Sequence, residues 1–561
     1  MRFTSMSDDE RIKADSRDLR GTIAASLDAG GSHFVQSDAQ LVKFHGIYQG
    51  ENRDVRQERK TAGLEPAYQF MVRTRVPGGI LCAQQYLAQD ALAGRFGNET
   101  LRITTRQGLQ LHGVLKGDLH EALAGISATL LSTLGACGDV NRNVMCCPAP
   151  PRAAAQRAAA SLAQELAAHF TPKTRAYHEI WIDGEKVDAP HLDAEVPDPI
   201  YGATFLPRKF KMGVALAGDN CIDAYTQDVA FVGITERDDL VGYTVLVGGG
   251  LGATHGKTTT YPRTATPLCF VDSSDAVVLT EAILGTQRDF GDRTDRKHAR
   301  FKYLVEERGI DWIRSEVERR FGRALKSPQA IAFESVADHL GWLAQADGRL
   351  TLGVHVENGR VKDSAAVRLR TALRQVVAEY RPELRLTPQQ NILLVGIEPA
   401  KRLEIDALFR TYGVETDPAR LGVHRYAMAC PALPTCGLAL TDAERVLPGI
   451  VDEIERELRD LQIGDERLSV RMTGCPNGCA RPYMGDIGFV GRSKALYDIY
   501  LGGDWANTHL NWVYKTGVRT ERLVAELRPL LRAWRYERRG SESFGDYCSR
   551  VGRENLGKVT A

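Results

Sequence analysis

Apolar and polar residues alternate with a period of two in FMVRTRV (70–76) and across RITTRQGLQLHGV (102–114), the pattern of half-buried strands. Elsewhere the spacing lengthens to three and four. DLHEALAGISATLLSTLG (118–135), AAAQRAAASLAQELAAHF (153–170), LTEAILGTQ (279–287), WIRSEVERRF (312–321) and IVDEIERELRDL (450–461) each place apolar residues on one helical face. Strands and helices mixed in this way predict an α+β protein rather than a helical bundle. The first 60 or so residues are polar apart from LVKFHGIY (41–48), which predicts a folded arm rather than a domain of its own.

The chain repeats itself. VNRNVMCCPAPP (140–151) and VHRYAMACPALP (423–434) share 7 of 12 positions at an offset of 283. The same offset lays TRQGLQLHG (105–113) on PQQNILLVG (388–396). A period this long excludes a solenoid and implies duplicated halves about a pseudo-two-fold axis. The two copies differ chemically. Cys147 and Cys430 are equivalent, but only the second copy continues with further paired cysteines, and the first is rich in Arg and Lys.

With 561 residues, 43% hydrophobic and 25% charged, the chain can bury several cores. A formal net charge of +1 supplies no bulk attraction for nucleic acid or an anionic membrane, and no aromatic stacking motif accompanies the basic residues. The N-terminus lacks the apolar core of a signal peptide, and MSDDE from Met6 reads as an alternative start. No apolar run is long enough to span a membrane. Eleven cysteines in so long a chain fit a reducing cytoplasm better than a disulfide scaffold.

Four of those cysteines form a pattern: Cys430 and Cys436 in ACPALPTCGL, Cys475 and Cys479 in TGCPNGCARP. Two loops of this kind can close around one soft-ligand centre, with prolines and glycines shaping turns whose N–H groups face sulfur. Spacing leaves open unrelated buried thiols, structural zinc and a four-iron cluster. The five-residue gap in the first pair counts against zinc, and the cluster is favoured. No role follows for Cys82, Cys137, Cys221, Cys269 or Cys548.

Basic residues cluster without local acids. Parity puts Arg102, Arg106, Gln110 and His112 on one strand face, and Arg73 with Arg75 on another. Arg142, then Arg208, Lys209 and Lys211 in LPRKFK, and Arg293, Arg296, Lys297 and Arg300 add to them. Such clusters repel unless an anion relieves them, and they suit carboxylates and oxyanions. In YTVLVGGGLGA (243–253), Gly248, Gly250 and Ala253 fit a dinucleotide fingerprint, but the polar, Pro-broken THGKTTTYPRTAT that follows is no helix. The Gly248–Gly249–Gly250 stretch reads instead as a loop whose backbone approaches a flat or anionic ligand. No nicotinamide or flavin motif is visible, so electrons for any redox step would come from another protein.

Taken in order, FHGIYQ, VRTRVPGG, NRNVMC, LPRKFK, VGGGLG, TDRK, the cysteine quartet and SFGDY resemble the sulfite/nitrite reductase hemoprotein family over about residues 11–552, with its bacterial NADPH-dependent assimilatory branch most similar. The resemblance implies two pseudo-symmetric α+β halves, a ferredoxin-like joining region, and cofactors at the interface. It implies an arm over 1–65, ferredoxin-like half-domains over 66–140 and 336–415, a siroheme and substrate domain over 141–335, and an iron–sulfur domain over 416–561. Carried residue by residue, Cys430, Cys436, Cys475 and Cys479 would ligate a [4Fe-4S] cluster, with Cys479 bridging to siroheme iron. Arg102, Arg106, His112, Arg208, Lys297 and Gln390 would meet siroheme's carboxylates, with Gly248–Gly250 against the ring and Asn477 beside the bridge. Arg73, Arg142, Lys209 and Lys211 would form the substrate pocket, Lys209 and Lys211 as proton carriers. Lys at both basic places of RKFK resembles sulfite-type rather than nitrite-type members. The implied activity is six-electron reduction of sulfite to sulfide, with an NADPH-linked flavoprotein as donor and ferredoxin as the alternative.

Overall fold

The computed structural model describes residues 6–150, 153–174, 181–182, 185–186, 197–336 and 338–559. Met1, the first of the two candidate starts, and Pro151, the end of the first repeat segment, lie outside them. Among the described residues no helix is long and apolar enough to cross a membrane.

Two five-stranded sheets make up the joining region. In the first, β1 (Ile47–Glu51), β2 (Tyr68–Thr74), β5 (Leu109–Val114) and β4 (Leu101–Ile103) are followed by β17 (Arg360–Val361) from the second half of the chain. In the other, β15 (Gly341–Ala344), β16 (Leu350–Val354), β19 (Ile392–Ile397) and β18 (Glu383–Leu386) are followed by β3 (Ile80–Leu81) from the first half. Each half thus lends the other an edge strand. Ala83–Phe96, Leu119–Ser127, Leu369–Tyr380 and Arg402–Thr411 are helical, and one apolar core is common to both sheets. The boundaries of β5 and β19 differ by the 283 residues seen in the repeat.

The two larger sheets repeat one topology. In the first half β6 (Met145–Cys146), β9 (Met212–Leu216), β11 (Val229–Glu236), β12 (Asp239–Val247) and β13 (Thr266–Val271) lie side by side, with β10 (Gly218–Asp219) and β14 (Phe333–Ser335) added at β9. In the second half the order is β20 (Ala427–Ala429), β21 (Val470–Thr473), β22 (Ile487–Ser493), β23 (Leu496–Leu501) and β24 (Trp512–Arg519). The first two pairings are parallel and the last two antiparallel in both. Helices Ala276–Phe290 and Leu523–Glu537 occupy equivalent places after the final strands. β7 (Trp181–Ile182) and β8 (Glu185–Lys186) form a separate hairpin.

Three sequence expectations change. RITTRQGLQLHGV is a hairpin of β4 and β5 rather than one strand, because Gln107 turns the chain at φ +54°. The strand over FMVRTRV ends at Thr74, and Arg75 leaves its expected face to donate to Ala167 O and Thr171 Oγ1. The helix expected over 118–135 stops at Ser127, and Leu130 takes a left-handed φ of +62°. The arm does fold: Leu41, Phe44, Val42 and Ile47 enter the two main cores, and β1 forms a sheet edge.

Between the halves, Asp223 and Arg481 occupy equivalent positions, both left-handed (φ +50° and +54°) and both heading a single 3-10 turn. Arg481 Nε lies 2.6 Å from Asp223 Oδ2, with both side chains buried.

Candidate active site

The quartet cysteines come from the ends of two adjacent parallel strands, Cys430 and Cys436 after β20, Cys475 and Cys479 after β21. Parallel strands point both loops out of the same sheet edge, so thiols 45 residues apart in sequence converge. Gly474 N–H donates to Cys430 Sγ at 3.3 Å, and Asn477 Nδ2 to Cys475 Sγ at 3.5 Å. Burial, reinforced by the other thiols of the set, pushes the Cys430 thiol well up and that of Cys475 to about 12. Four cysteines whose thiolates would repel one another, two of them already accepting N–H donors, fit an iron–sulfur cluster, which takes them as thiolates and supplies the missing positive charge. Cys479 is exposed, whereas Cys430 and Cys475 are buried and Cys436 is half-buried.

Cys479 opens into a cleft between the halves. Asn477, Gly478 and Arg481 line it from the second half; Thr105, Arg106, Met145, Lys209, Lys211, Thr226, Gln227, Leu251, Gly252 and Arg300 line it from the first. The cation excess inside is large. Burial, together with Arg106 and Arg300, lowers Lys211 to about 7. Burial and then Arg208, Lys211, Arg300 and Arg142 hold Lys209 far below its usual range. Burial brings Arg106 to about 9, and its Nε has no hydrogen-bond partner. Asp228 is the carboxylate inside this group, and it is already engaged: it takes a bidentate pair from Arg300 at 2.8 and 2.9 Å and accepts from Lys211 N–H at 2.9 Å. A polyanion would relieve what the chain leaves uncompensated, which fits a macrocycle carrying many carboxylates.

Arg73 and Arg142, expected in the substrate pocket, are not among the residues that line this cleft. Both act on Tyr48, and Arg73 also feels Cys479 and Cys436. Arg73 Nη1 donates to Cys137 Sγ at 3.2 Å. Arg142 is anchored by Gly138 O at 2.8 Å.

Other carried-over residues sit elsewhere. Arg102 is buried against Glu444 and donates to Ala429 O at 2.7 Å, so a carboxylate of the second half already faces a strand surface that its own segment leaves without one. His112 lies beside Gln110 and Arg360. Arg208 is 3.8 Å from Asp139. Lys297 is exposed and lies outside the cleft lining, and Gln390 donates to Ile103 O at 3.4 Å. Gly248 and Gly249 pack against the chain itself, outside the cleft lining: a Cβ at Gly249 would stand 2.3 Å from Tyr225 O. A Cβ at Gly250 would meet Arg300, and Gly252 rather than Gly250 lines the cleft. Ala253 N–H donates to Pro476 O at 2.9 Å, which joins this loop to the second cysteine loop.

Lys302, Gln227 and Arg481 escaped sequence reasoning as site residues. Lys302 donates to Gly252 O at 2.7 Å and Gly250 O at 3.1 Å, and Gln227 accepts from Arg106 at 2.7 Å. The position of Arg481, two residues after Cys479, was the available signal.

Comparison with known proteins agrees with this arrangement. The profile described as the nitrite and sulphite reductase 4Fe-4S domain matches residues 161–325 and 423–560. The nitrite/sulfite reductase ferredoxin-like half domain matches 63–128 and 343–412. The chain belongs to the nitrite and sulfite reductase family. The sulfite reductase (NADPH) hemoprotein beta-component of Myxococcus xanthus is 44% identical to this family member over 550 residues, 98% of this chain and 97% of that one. Its namesake from Geobacillus kaustophilus is 44% identical over 97% of this chain and 96% of that one, and the Staphylococcus saprophyticus protein 43% identical over 97% and 95%. The solved structure of Mycobacterium tuberculosis NirA shares the fold, with a TM-score of 0.77 at 24% identity over 97% of this chain and 95% of that one.

Proposed function

We propose that this chain is the hemoprotein subunit of an assimilatory sulfite reductase. The overall change is HSO3⁻ + 6 e⁻ + 6 H⁺ → HS⁻ + 3 H2O. One observation carries the reading: Cys479, the exposed quartet thiol, shares a cleft with Arg106, Lys209, Lys211 and Arg300. Siroheme beside a [4Fe-4S] cluster would supply an electron path and an open iron position for the substrate sulfur. Cys430, Cys436, Cys475 and Cys479 would hold the cluster; Arg106, Lys302 and the 248–252 loop would border the macrocycle.

The chain's own groups do the rest. Arg73 and Arg142 would bind and polarise the oxyanion through their guanidinium donors. Lys211, brought to about 7, can give up a proton at Nζ and regain it, which suits a reaction that releases oxygen as water. Arg300 and Asp228 position Lys211 through its backbone N–H. The relatives' printed names specify NADPH and a beta-component, which supports a separate NADPH-oxidising subunit, here taken as a flavoprotein, as the donor, and the cytoplasm is the compartment such an enzyme would use.

The test is steady-state turnover of Lys211→Gln with sulfite and with nitrite, using flavoprotein and ferredoxin donors in parallel. The expected result is a sulfite preference, flavoprotein coupling, and a loss of kcat larger than the rise in KM. Equal changes in both constants would reduce Lys211 to electrostatics, and a large nitrite preference would overturn the substrate.

A further inference from the structure

The two halves can be aligned through strand register rather than sequence. β6 pairs with β9 through Met145↔Gly213 and Cys146↔Val214. β20 pairs with β21 through Met428↔Arg471 and Ala429↔Met472. The second strand of each pair is therefore offset by 258 residues, not 283. The 258 offset carries Arg481 onto Asp223 and the start of β22 onto the start of β11. It also carries Cys479 onto Cys221, while 283 carries Cys430 onto Cys147. The other two ligand positions, Cys436 and Cys475, fall on Ala153 and Ala217. The first half thus keeps two of four thiols at the mirror of the quartet loops.

Two other donors join the two thiols that remain. The ligand atoms of Cys147, Asp219, Cys221 and His339 all lie within 4.8 Å of one another, the one such group among the described residues. Cys147 Sγ is 3.2 Å from Asp219 Oδ2 and 3.4 Å from His339 Nε2, and His339 Nε2 is 3.7 Å from Asp219 Oδ2. A tetrahedron with metal–ligand bonds of about 2.0–2.3 Å has edges of roughly 3.3–3.8 Å. The observed separations are therefore close to those of a coordination sphere. Asp219 Oδ1 accepts from Cys221 N–H at 2.9 Å, which orients the carboxylate from outside the group. His339 is held at a left-handed φ of +56°, a conformation that costs energy unless its surroundings over-determine it.

We propose that Cys147, Asp219, Cys221 and His339 form a binding site for one divalent transition-metal ion, zinc foremost. Two thiolates and an imidazole disfavour magnesium and calcium, and four protein ligands leave no open position, so the ion is structural. It ties the ends of β6 and β10 to the segment between β14 and β15, where the chain crosses into the second ferredoxin-like half. The inference is independent of the proposed substrate.

The test begins with the wild-type holoprotein, purified anaerobically without chelator, and elemental analysis. The expected result is about one zinc per chain beyond the iron. Exchange with Co²⁺ should give a tetrahedral thiolate spectrum. Cys221→Ser and His339→Ala should each lose zinc while keeping iron and acid-labile sulfide. Wild-type protein with no stoichiometric metal and no cobalt spectrum would overturn the proposal, as would a Cys147–Cys221 disulfide in the fresh protein or zinc retained at full occupancy in both variants.

Discussion

Glu444 is the most informative residue to change. It receives Arg102 Nη1, and Arg360 at 2.7 and 2.9 Å, and Arg102 is 1% exposed. Burial works to raise the carboxyl's pKa, but the two guanidinium groups outweigh it and hold the pKa below the ordinary range. Its stabilising effect is therefore full at neutral pH and is lost as pH falls below the normal carboxylate range. Glu444→Gln removes the charge while keeping the size, leaving the buried Arg102 with neutral acceptors, Ala429 O and the new amide oxygen, and no counter-charge. Breaking a buried pair in this way costs about 3–5 kcal/mol, which corresponds to a thermal midpoint lower by roughly 3–4 °C for 561 residues unfolding together. Because Ala429 precedes Cys430, cluster occupancy should fall as well. The assay is thermal unfolding of cofactor-free Glu444→Gln, Arg102→Met and the Glu444→Met/Arg102→Met pair. The double variant should recover the part of the loss that comes from Arg102, while Arg360, left with Thr100 Oγ1 and His112 Nδ1, keeps the rest. If Glu444→Gln unfolds at the wild-type temperature, while Arg102→Met loses siroheme without losing stability, then Arg102 serves the cofactor and this account is refuted.

Two further outcomes are expected. Gly249→Ala should abolish the bound chromophore, read as visible absorbance per protein, because its Cβ would meet Tyr225 O at 2.3 Å and Gln227 O at 2.5 Å; Gly449→Ala, with open space, should not. The cofactor-free protein should gain stability as pH rises from about 7 toward 10: Lys211 has a folded pKa of about 7 against 10.5, so the unfolded chain binds the extra proton across that window, and thermal midpoints of Lys211→Met should show a flatter rise.

Much of this was legible in the residues, and what was hidden has identifiable physical causes. The quartet spacing, the cations around Lys209 and Lys211, and the 283-residue repeat are local patterns. The 258-residue register was invisible because the segment joining β6 to β9 is longer than that joining β20 to β21. Cys221 therefore had no apparent counterpart. The Glu444 partner of Arg102 is hidden from a local pattern because it lies 342 residues away. The strand over 102–114 was read through a turn because period-two parity survives a hairpin, so Arg102 and His112 still flank Gln110 on one side. Lys297 drew attention for its neighbours, whereas Arg300 and Lys302, on the same segment, are buried.

Asp223 and Arg481 touch at the place where the duplicated halves meet. In an ancestral assembly of two identical polypeptides, a residue on that diad would have faced its own copy, carboxylate against carboxylate or guanidinium against guanidinium. Opposite signs there require two copies that vary separately, which duplication of the gene permits. The ion pair thus marks a contact that a symmetric pair of identical copies could not make, in keeping with one cluster-bearing half and one anion-gripping half.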